Sequence, residues 1–260
     1  MVSRGLLSFA VGQTYLAFPA RSQWCHALGR RAQEIIERAY EEGRKHLLEP
    51  EAKTICAEYG IPVPKFKVAS EPKEAVEFAE EIGYPVVLKV VSPDVIHKSD
   101  VGGVLLNVMD ADGVREGFKR VLDTVKGHVP NARIIGVLVE EMAPKGIAEV
   151  IVGAIKDPQF GQTLMFGLGG VFVEVLKDVT FRIAPIDERE AKEMIKEIKA
   201  YPILTGYRGQ PPADVDAIAR ILVSASELVM ENPQVKEMDL NPIIVYEKGA
   251  KTVDARIILE

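Results

Sequence analysis

Lys89 is the only charged residue in the apolar run Val86–Val91. The alternation of side chains along a strand would place Val87, Lys89 and Val91 on one face. A buried ammonium group is costly unless an anion meets it. Lys89 is therefore either a phosphate-binding lysine or a solvated lysine on an edge strand, where it would discourage aggregation. The surrounding valines favour the phosphate-binding interpretation.

The loop that follows this strand carries a second group of polar residues. His97, Lys98 and Ser99 are followed closely by Gly102 and Gly103. Glycine allows a backbone to approach phosphate oxygens, and the N–H groups, Lys98 and Ser99 would act as donors. We predict a phosphate-binding loop, although a loop histidine could also simply face solvent.

Acidic residues end a later apolar strand. Glu140, Glu141 and Met142 close the run that begins near Ile134, and Glu149 lies in the next predicted strand. These acids either solvate the end of the strand or form a hinge between two lobes. In the second case, backbone groups at the hinge would meet the edge of an adenine base.

Oxygen-bearing side chains recur in the C-terminal segment. A hairpin that turns at Lys248–Gly249 would place Asn241 opposite Arg256, with Asp239 and Asp254 on the same face. Diagonal neighbours of this kind lie about 7–8 Å apart at the backbone. Mg²⁺ takes one or two protein oxygens together with substrate phosphates, so this face is a candidate Mg²⁺ site. The alternative is a charged, solvated hairpin.

The elements that would position these residues follow from local patterns. Apolar spacing predicts helices, and β-branched runs between loop residues predict strands. Closely spaced strands leave no room for crossover helices, so the second half should be largely antiparallel and the fold α+β. We predict subdomains at 31–130 and 131–260 around a cleft. The helices are predicted at 31–46, 51–59, 71–82 (capped by Ser70), 112–126, 187–199 and 213–230, and the strands at 85–92, 102–109, 133–142, 148–157, 163–168, 171–176 and 181–186.

Composition limits the class of protein. The chain has 260 residues, 47% hydrophobic and 27% charged, with a net charge of −6. These values are typical of globular proteins, and the negative charge argues against nucleic acid as a partner. Cys25 and Cys56 are the only cysteines, which suggests a reducing, cytoplasmic location without a membrane partner. Residues 1–30 are predicted to be a disordered or artefactual extension.

Three segments together resemble the ATP-grasp domain in the β subunits of ADP-forming acetyl-CoA synthetases, the NDP-forming acyl-CoA synthetases. The similarity covers about residues 31–260 and is more distant to the β subunit of succinyl-CoA synthetase, which has Glu in place of Asp239. The segments are GYPVVLKVVSPDVIHKSDVGGV, EVIVGAIKDPQFGQTLMFGLGGVFVEVLKDVTFRIAPI and MDLNPIIV.

The resemblance implies a role for each matching position. Lys89 would hold the phosphates of ATP or ADP, and residues 140–142 would form the adenine hinge. Asn241 and Asp254 would bind Mg²⁺. His97 would relay a phosphoryl group between a partner α subunit and the nucleotide, with Asp239 orienting the phosphohistidine.

The implied reaction converts acyl-CoA, ADP and phosphate into the free acid, CoA and ATP. The sequence lacks a recognisable fingerprint for binding CoA, so we expect an obligate hetero-oligomer, two α with two β. Two alternatives remain at this point: an ATP-grasp carboxylate ligase without a histidine relay, and a nucleotide-sensing regulatory module.

Overall fold

The computed structural model describes residues 29–170, 177–207 and 209–260. The extension predicted at 1–30 and the strand predicted at 171–176 lie wholly or almost wholly outside these residues. The helices are α1 (Arg30–Glu41), α2 (Glu49–Glu58), α3 (Pro72–Ile82), α4 (Ala111–His128), α5 (Glu188–Glu197), α6 (Tyr201–Leu204) and α7 (Val215–Glu231). The strands are β1 (Phe66–Ala69), β2 (Val86–Val91), β3 (Val104–Val108), β4 (Gly136–Glu141), β5 (Ala148–Asp157), β6 (Gly161–Leu168), β7 (Val179–Ile183), β8 (Val235–Val245), β9 (Ala250–Thr252) and β10 (Ala255–Leu259).

The first sheet has four strands in the order β1-β4-β2-β3. All of its strand pairs are antiparallel. Every residue of β2 is buried, and Lys89 pairs with Leu138 on one side and with Val104 on the other. The alternative that placed Lys89 on an edge strand is therefore wrong, because β2 has a neighbour on each side.

The second sheet has the order β10-β8-β5-β6-β7, with β9 paired to β8. Its pairs are antiparallel as well, which confirms the arrangement predicted for this half. Its core includes Val152, Phe166 and Leu222, and α1, α2, α5 and α7 contribute to the same core. A second core forms where α3 and α4 pack on the first sheet.

Local signals explain most of the helix boundaries. Asp187 accepts a hydrogen bond from the Glu190 amide, and the Glu190 carboxylate accepts one from the Asp187 amide, so the two residues form a capping box at the start of α5. The predicted cap at Ser70 is wrong by one residue. Glu71 is the N-cap of α3, and the Ser70 hydroxyl donates to Glu74 instead.

The C-terminal hairpin has a different register from the predicted one. Tyr246 pairs with Gly249 through a backbone hydrogen bond of 3.0 Å, so the turn centres on Glu247 and Lys248. Gly249 follows the turn with a φ of +84°, a conformation that favours glycine. Each residue of the strand consequently meets a partner two positions earlier than predicted.

The two sheets divide the chain after β4. The first sheet uses strands up to Glu141, and the second begins at Ala148. The two lead-in helices, α1 and α2, pack in the core of the second sheet. The boundary predicted near residue 130 falls before the last strand of the first sheet, and the division into subdomains stays a prediction. Within the described ranges, none of the helices has the length and apolar character needed to cross a membrane.

Candidate phosphoryl-transfer site

A cavity of about 470 Å³ lies between the loop after β2 and the C-terminal hairpin. It gathers predicted site residues from separate parts of the chain together with several that the sequence did not single out. The predicted residues that line it are His97, Lys98, Asp239, Asn241 and Asp254. The other polar residues that line it include Lys45, His46, Glu49, Ser92 and Arg256.

The hairpin forms one wall of the cavity. Asp239 pairs with Arg256 across the strands, and Arg256 Nη2 lies 3.5 Å from Asp239 Oδ2. The Asn241 amide donates a 3.2 Å hydrogen bond to the Asp254 carbonyl, so these two residues are direct cross-strand neighbours. The prediction that Asn241 faces Arg256 is wrong, and the predicted diagonal pair is in fact a directly opposed one. Two oxygen-bearing side chains are thereby closer together than predicted.

The environment of Asp239 differs from that of an ordinary surface carboxylate. Burial raises its pKa, and the carboxylates of Asp254 and Glu237 raise it further. Arg256 and His97 act in the opposite direction, although the net shift is upward. Asp239 is thus a partly buried acid in the same electrostatic environment as His97.

The His97 loop forms the opposite wall. His97 is exposed, whereas Lys98 is half-buried with its Nζ 3.1 Å from Glu49 Oε2. Ser99 opens a short 3-10 helix and does not line the cavity. The loop therefore presents His97 and Lys98 to the cavity.

The two glycines of this loop have a packing role in the structure. The Gly102 amide donates to the Ser99 carbonyl and the Gly103 amide to the Lys98 carbonyl, at 3.2 and 2.7 Å. A Cβ on Gly103 would lie 2.7 Å from Val90 Cγ1. Both amides are engaged within the loop, so the described geometry does not support their predicted role as phosphate donors.

Lys89 lies beneath the cavity. Its Nζ donates to Glu49 Oε1 at 2.7 Å, to the Val253 carbonyl at 3.0 Å and to Glu140 Oε1 at 3.3 Å. Burial by itself lowers the pKa of Lys89, but Glu49, Glu140 and Asp254 more than offset this and raise it. The buried ammonium does meet anions, as its surroundings required, and these anions are carboxylates of the chain itself.

Glu49 and Lys53 complete this buried network, and sequence reasoning missed both. Lys53 is fully buried on α2 and pairs with Glu49 Oε1 at 2.8 Å and with Glu140 Oε2. Burial raises the pKa of Glu49, but Lys53, Lys89 and Lys98 outweigh it and hold the pKa well below its usual range. Lys53 lies between Ala52 and Ile55, which are both buried. A lysine on the apolar face of a predicted helix was the signal in the sequence that it needs a buried anionic partner.

The predicted adenine hinge lies outside the cavity lining. Glu140 is buried, and its backbone is paired with β1 and β2, while the Glu141 amide donates to Lys65 and the Met142 amide to Pro85. Glu141 itself pairs with Lys251 at 2.6 Å. Glu149 is exposed on β5. A hinge at these positions stays a prediction and would have to use backbone groups other than these amides.

Comparison with known proteins places this geometry in a family. The model of the ATP-grasp domain matches residues 38–259. The β subunit of acetate–CoA ligase [ADP-forming] I from Pyrococcus furiosus is 56% identical over 229 residues, covering 88% of this chain and 98% of that subunit. The chain belongs to the ATP-grasp family of ADP-forming acetate–CoA ligase β subunits. The α+β ATP-grasp fold expected from the sequence is thereby confirmed.

Solved structures agree with this assignment. The acetyl-coenzyme A synthetase 1 of Candidatus Korarchaeum cryptofilum, solved with coenzyme A, Ca-AMPCP and HgCl⁺, superposes with a TM-score of 0.86 at 54% identity. The match covers 88% of this chain and all of that chain. Another structure of that enzyme, at 50% identity and a TM-score of 0.78 over 88% of this chain and all of that one, contains coenzyme A and Mg-AMPPCP, with a phosphohistidine segment pointing towards the nucleotide site.

The residues of this ATP-grasp domain can be tested for their fit to a divalent cation. No cluster of three or more His, Cys, Asp or Glu side chains suited to a metal occurs in the described parts of the chain. Asn241 and Asp254 nevertheless offer two oxygen-bearing side chains at one cavity wall. Mg²⁺ bound with a nucleotide needs only one or two protein ligands because phosphates and waters supply the others. The pair therefore fits Mg²⁺ carried by a nucleotide better than a metal held by protein alone.

Proposed function

We propose that this chain is the nucleotide-binding β subunit of an ADP-forming acyl-CoA synthetase and relays a phosphoryl group through His97. The observation that carries the proposal is the single cavity shared by His97, Lys98, Asp239, Asn241 and Asp254. Family membership adds support, because relatives at 50% identity or more are named as β subunits of acetate–CoA ligases.

The chemistry suits these side chains. A neutral imidazole nitrogen of His97 attacks phosphorus, so that an N–P bond forms while the bond to the partner's phosphorylated group breaks. A terminal oxygen of ADP then attacks the same phosphorus, the N–P bond breaks, and ATP forms. Lys98 and Arg256 would stabilise the charge on the transferring oxygens, and Asp239 would orient the imidazole ring.

Asn241 and Asp254 are the residues that would hold Mg²⁺ with the nucleotide. When bound, the ion would neutralise phosphate charge. The exposed position of Asn241 and the half-buried position of Asp254 leave this wall open to a nucleotide.

An α subunit would supply the acyl and CoA chemistry, in a complex of two α and two β. The exposure of His97 supports this division, because the imidazole must meet a group delivered by another subunit. The net reaction would consume acyl-CoA, ADP and phosphate and release the acid, CoA and ATP.

The test is to incubate the complex of the chain and its α subunit with acetyl-CoA, phosphate and Mg²⁺, and to map acid-labile phosphate by mass spectrometry. We expect phosphate on His97 that is lost to ATP when ADP is added. His97→Asn should abolish ATP formation, whereas His46→Asn, which alters another histidine of the same cavity, should still allow phosphate to form on His97.

Three results would contradict the proposal. If ATP forms normally while His97 stays unmodified, His97 has no part in the relay. ATP-dependent acyl phosphate formation that survives His97→Asn would instead favour a carboxylate ligase without a relay. ADP binding without any phosphorylation in the complete complex would favour a nucleotide-sensing module.

A further inference from the structure

Glu49 contacts two ammonium groups, that of Lys98 in the loop wall and that of Lys89 beneath the cavity. Its Oε2 lies 3.1 Å from Lys98 Nζ, and Lys98 is the neighbour of His97 in the loop. Its Oε1 lies 2.7 Å from Lys89 Nζ, and Lys89 donates in turn to the carbonyl of Val253, the neighbour of Asp254. One carboxylate thus connects the loop of the proposed relay with the hairpin of the proposed Mg²⁺ site.

The carboxylate is itself rigidly held. Glu49 begins α2, and Lys53, one turn later, lies 2.8 Å from Glu49 Oε1. Leu48 packs with Val91 and Leu138 of the first sheet, which fixes the start of the helix against β2 and β4. The side chain of Glu49 is only 2% exposed. A group placed by a helix, a sheet and an ion pair can hold other groups in position.

The network is costly as a means of stabilising the fold. Apolar side chains of similar volume often replace a buried ion pair without loss of stability. Two carboxylates and two lysines buried together therefore suggest a purpose other than stability. Their position directly below the cavity indicates what that purpose is.

We propose that Glu49 is a positioning residue for phosphoryl transfer, which holds the His97 loop through Lys98 and the Asp254 end of the hairpin through Lys89. This role rests on the proposed function of the cavity. It extends that function by making a residue of α2 responsible for the positions of the groups that take part in phosphoryl transfer. In-line transfer needs its groups placed correctly, and an error of about 1 Å can cost about 100-fold in rate.

The test compares Glu49→Gln with Glu51→Gln in the complex with the α subunit. Gln keeps the size of the side chain and removes its charge. Glu51 lies two residues further along α2 and pairs with Arg44 and the Leu48 amide, away from both lysines. We expect Glu49→Gln to slow the discharge of phosphate from His97 to ADP by about 10- to 100-fold in a single turnover. Glu51→Gln should change it less than about 3-fold, and Glu49→Asp should recover part of the rate.

A double-mutant cycle separates positioning from a general effect on the fold. If Glu49 acts partly through Lys98, the rate loss in the variant with both Glu49→Gln and Lys98→Met should be smaller than the product of the two single losses. Independent, multiplying losses would contradict the role, as would a Glu49→Gln rate within about 2-fold of wild type. Equal losses in Glu49→Gln and Glu51→Gln would also overturn it. In each of these cases the proposed function stands if the wild-type complex phosphorylates His97. If the wild-type complex never phosphorylates His97, both the proposed function and the role of Glu49 are contradicted.

Discussion

The charges beneath the cavity and the charges around its rim are arranged in opposite ways. At its floor and beneath it, Glu49, Lys53, Lys89 and Glu140 are buried and pair with one another at fixed positions. Around the rim, polar side chains such as His97 and Asn241 are exposed.

This difference separates two tasks. A buried ammonium that already contacts two carboxylates and a carbonyl, as Lys89 does, has little capacity left for a ligand. A side chain on the rim can change partners when a ligand enters. We infer that the buried charges set the geometry and the rim charges carry out the chemistry.

Lys53→Met should have the largest effect on stability, because it removes one partner of a buried ion pair. Among the described residues, Glu140 would then keep Lys89, at 3.3 Å, as its one cationic partner. Breaking such a pair typically costs about 3–5 kcal/mol in the free energy of unfolding, which urea denaturation would measure. Lys73→Met is the matched control, since its pair with Glu77 is exposed and should be worth at most about 1 kcal/mol. Equal stability of the two variants would remove the distinction between the buried network and an exposed ion pair.

Asp254→Asn should affect the chemistry of the rim without a comparable loss of stability. Outer-shell partners of a bound metal already contribute about 10- to 100-fold to affinity or activity. Loss of a direct carboxylate should therefore raise the half-saturating Mg²⁺ concentration for ATP formation on the order of 100-fold, or about 2.7 kcal/mol. Glu247→Gln, which removes an exposed carboxylate from the turn of the same hairpin, should leave the Mg²⁺ dependence unchanged. An unchanged dependence in Asp254→Asn would remove this residue from the Mg²⁺ site.

Gly103→Ala should disturb the connection between the two regions. The new Cβ would lie 2.7 Å from Val90 Cγ1 and 3.0 Å from the Lys98 carbonyl. Crowding of this kind typically costs about 2 kcal/mol, and it would displace Lys98 from Glu49. Gly127→Ala is the control, because no atom within 4 Å would meet its Cβ near the end of α4, and it should stabilise the chain by about 0.5–1 kcal/mol. Thermal unfolding measures the stability of both variants. A Gly103→Ala variant as stable as the wild type would show that the loop can shift to make room for the new methyl group.

The buried network also shows where sequence reasoning ended. The requirement that Lys89 meet an anion followed from the valines around it, and this was correct. The identity of that anion could not follow, because Glu49 is 40 residues away and Glu140 is 51. Only tertiary packing brings three separate elements to one point.

The register of the C-terminal hairpin was predicted wrongly for a different reason. The sequence indicated both strands and the turn region, but it placed the turn one residue too late. Gly249 follows the central pair of the turn instead of belonging to it. A shift of one residue in the centre moves every cross-strand partner by two, so the correct face was predicted with the wrong pairs.

Glu141→Gln should have the smallest effect, because its pair with Lys251 joins β4 to β9 at a partly exposed position. Burial raises the pKa of Glu141, but the hydrogen bonds from Lys251 and from the Lys65 amide outweigh it and lower the pKa overall. A lowered pKa in the folded state means that the ionised carboxylate stabilises the chain above the pKa of the unfolded state. This contribution is lost as the pH falls through the folded-state value.

Solvent screening limits the contribution of this pair to at most about 1 kcal/mol. The wild-type chain should therefore exceed Glu141→Gln slightly in stability at pH 7, and urea denaturation at decreasing pH should show the two converging once the pH falls below the usual pKa of a glutamate and through the lowered pKa of Glu141. Glu80→Gln removes an exposed carboxylate from α3, the helix that packs on the same sheet, and should show no such convergence. A difference for Glu141→Gln as large as that for Lys53→Met would mean that a partly exposed pair is as important as the buried network. The division between structural charges below the cavity and chemical charges around it would then be wrong.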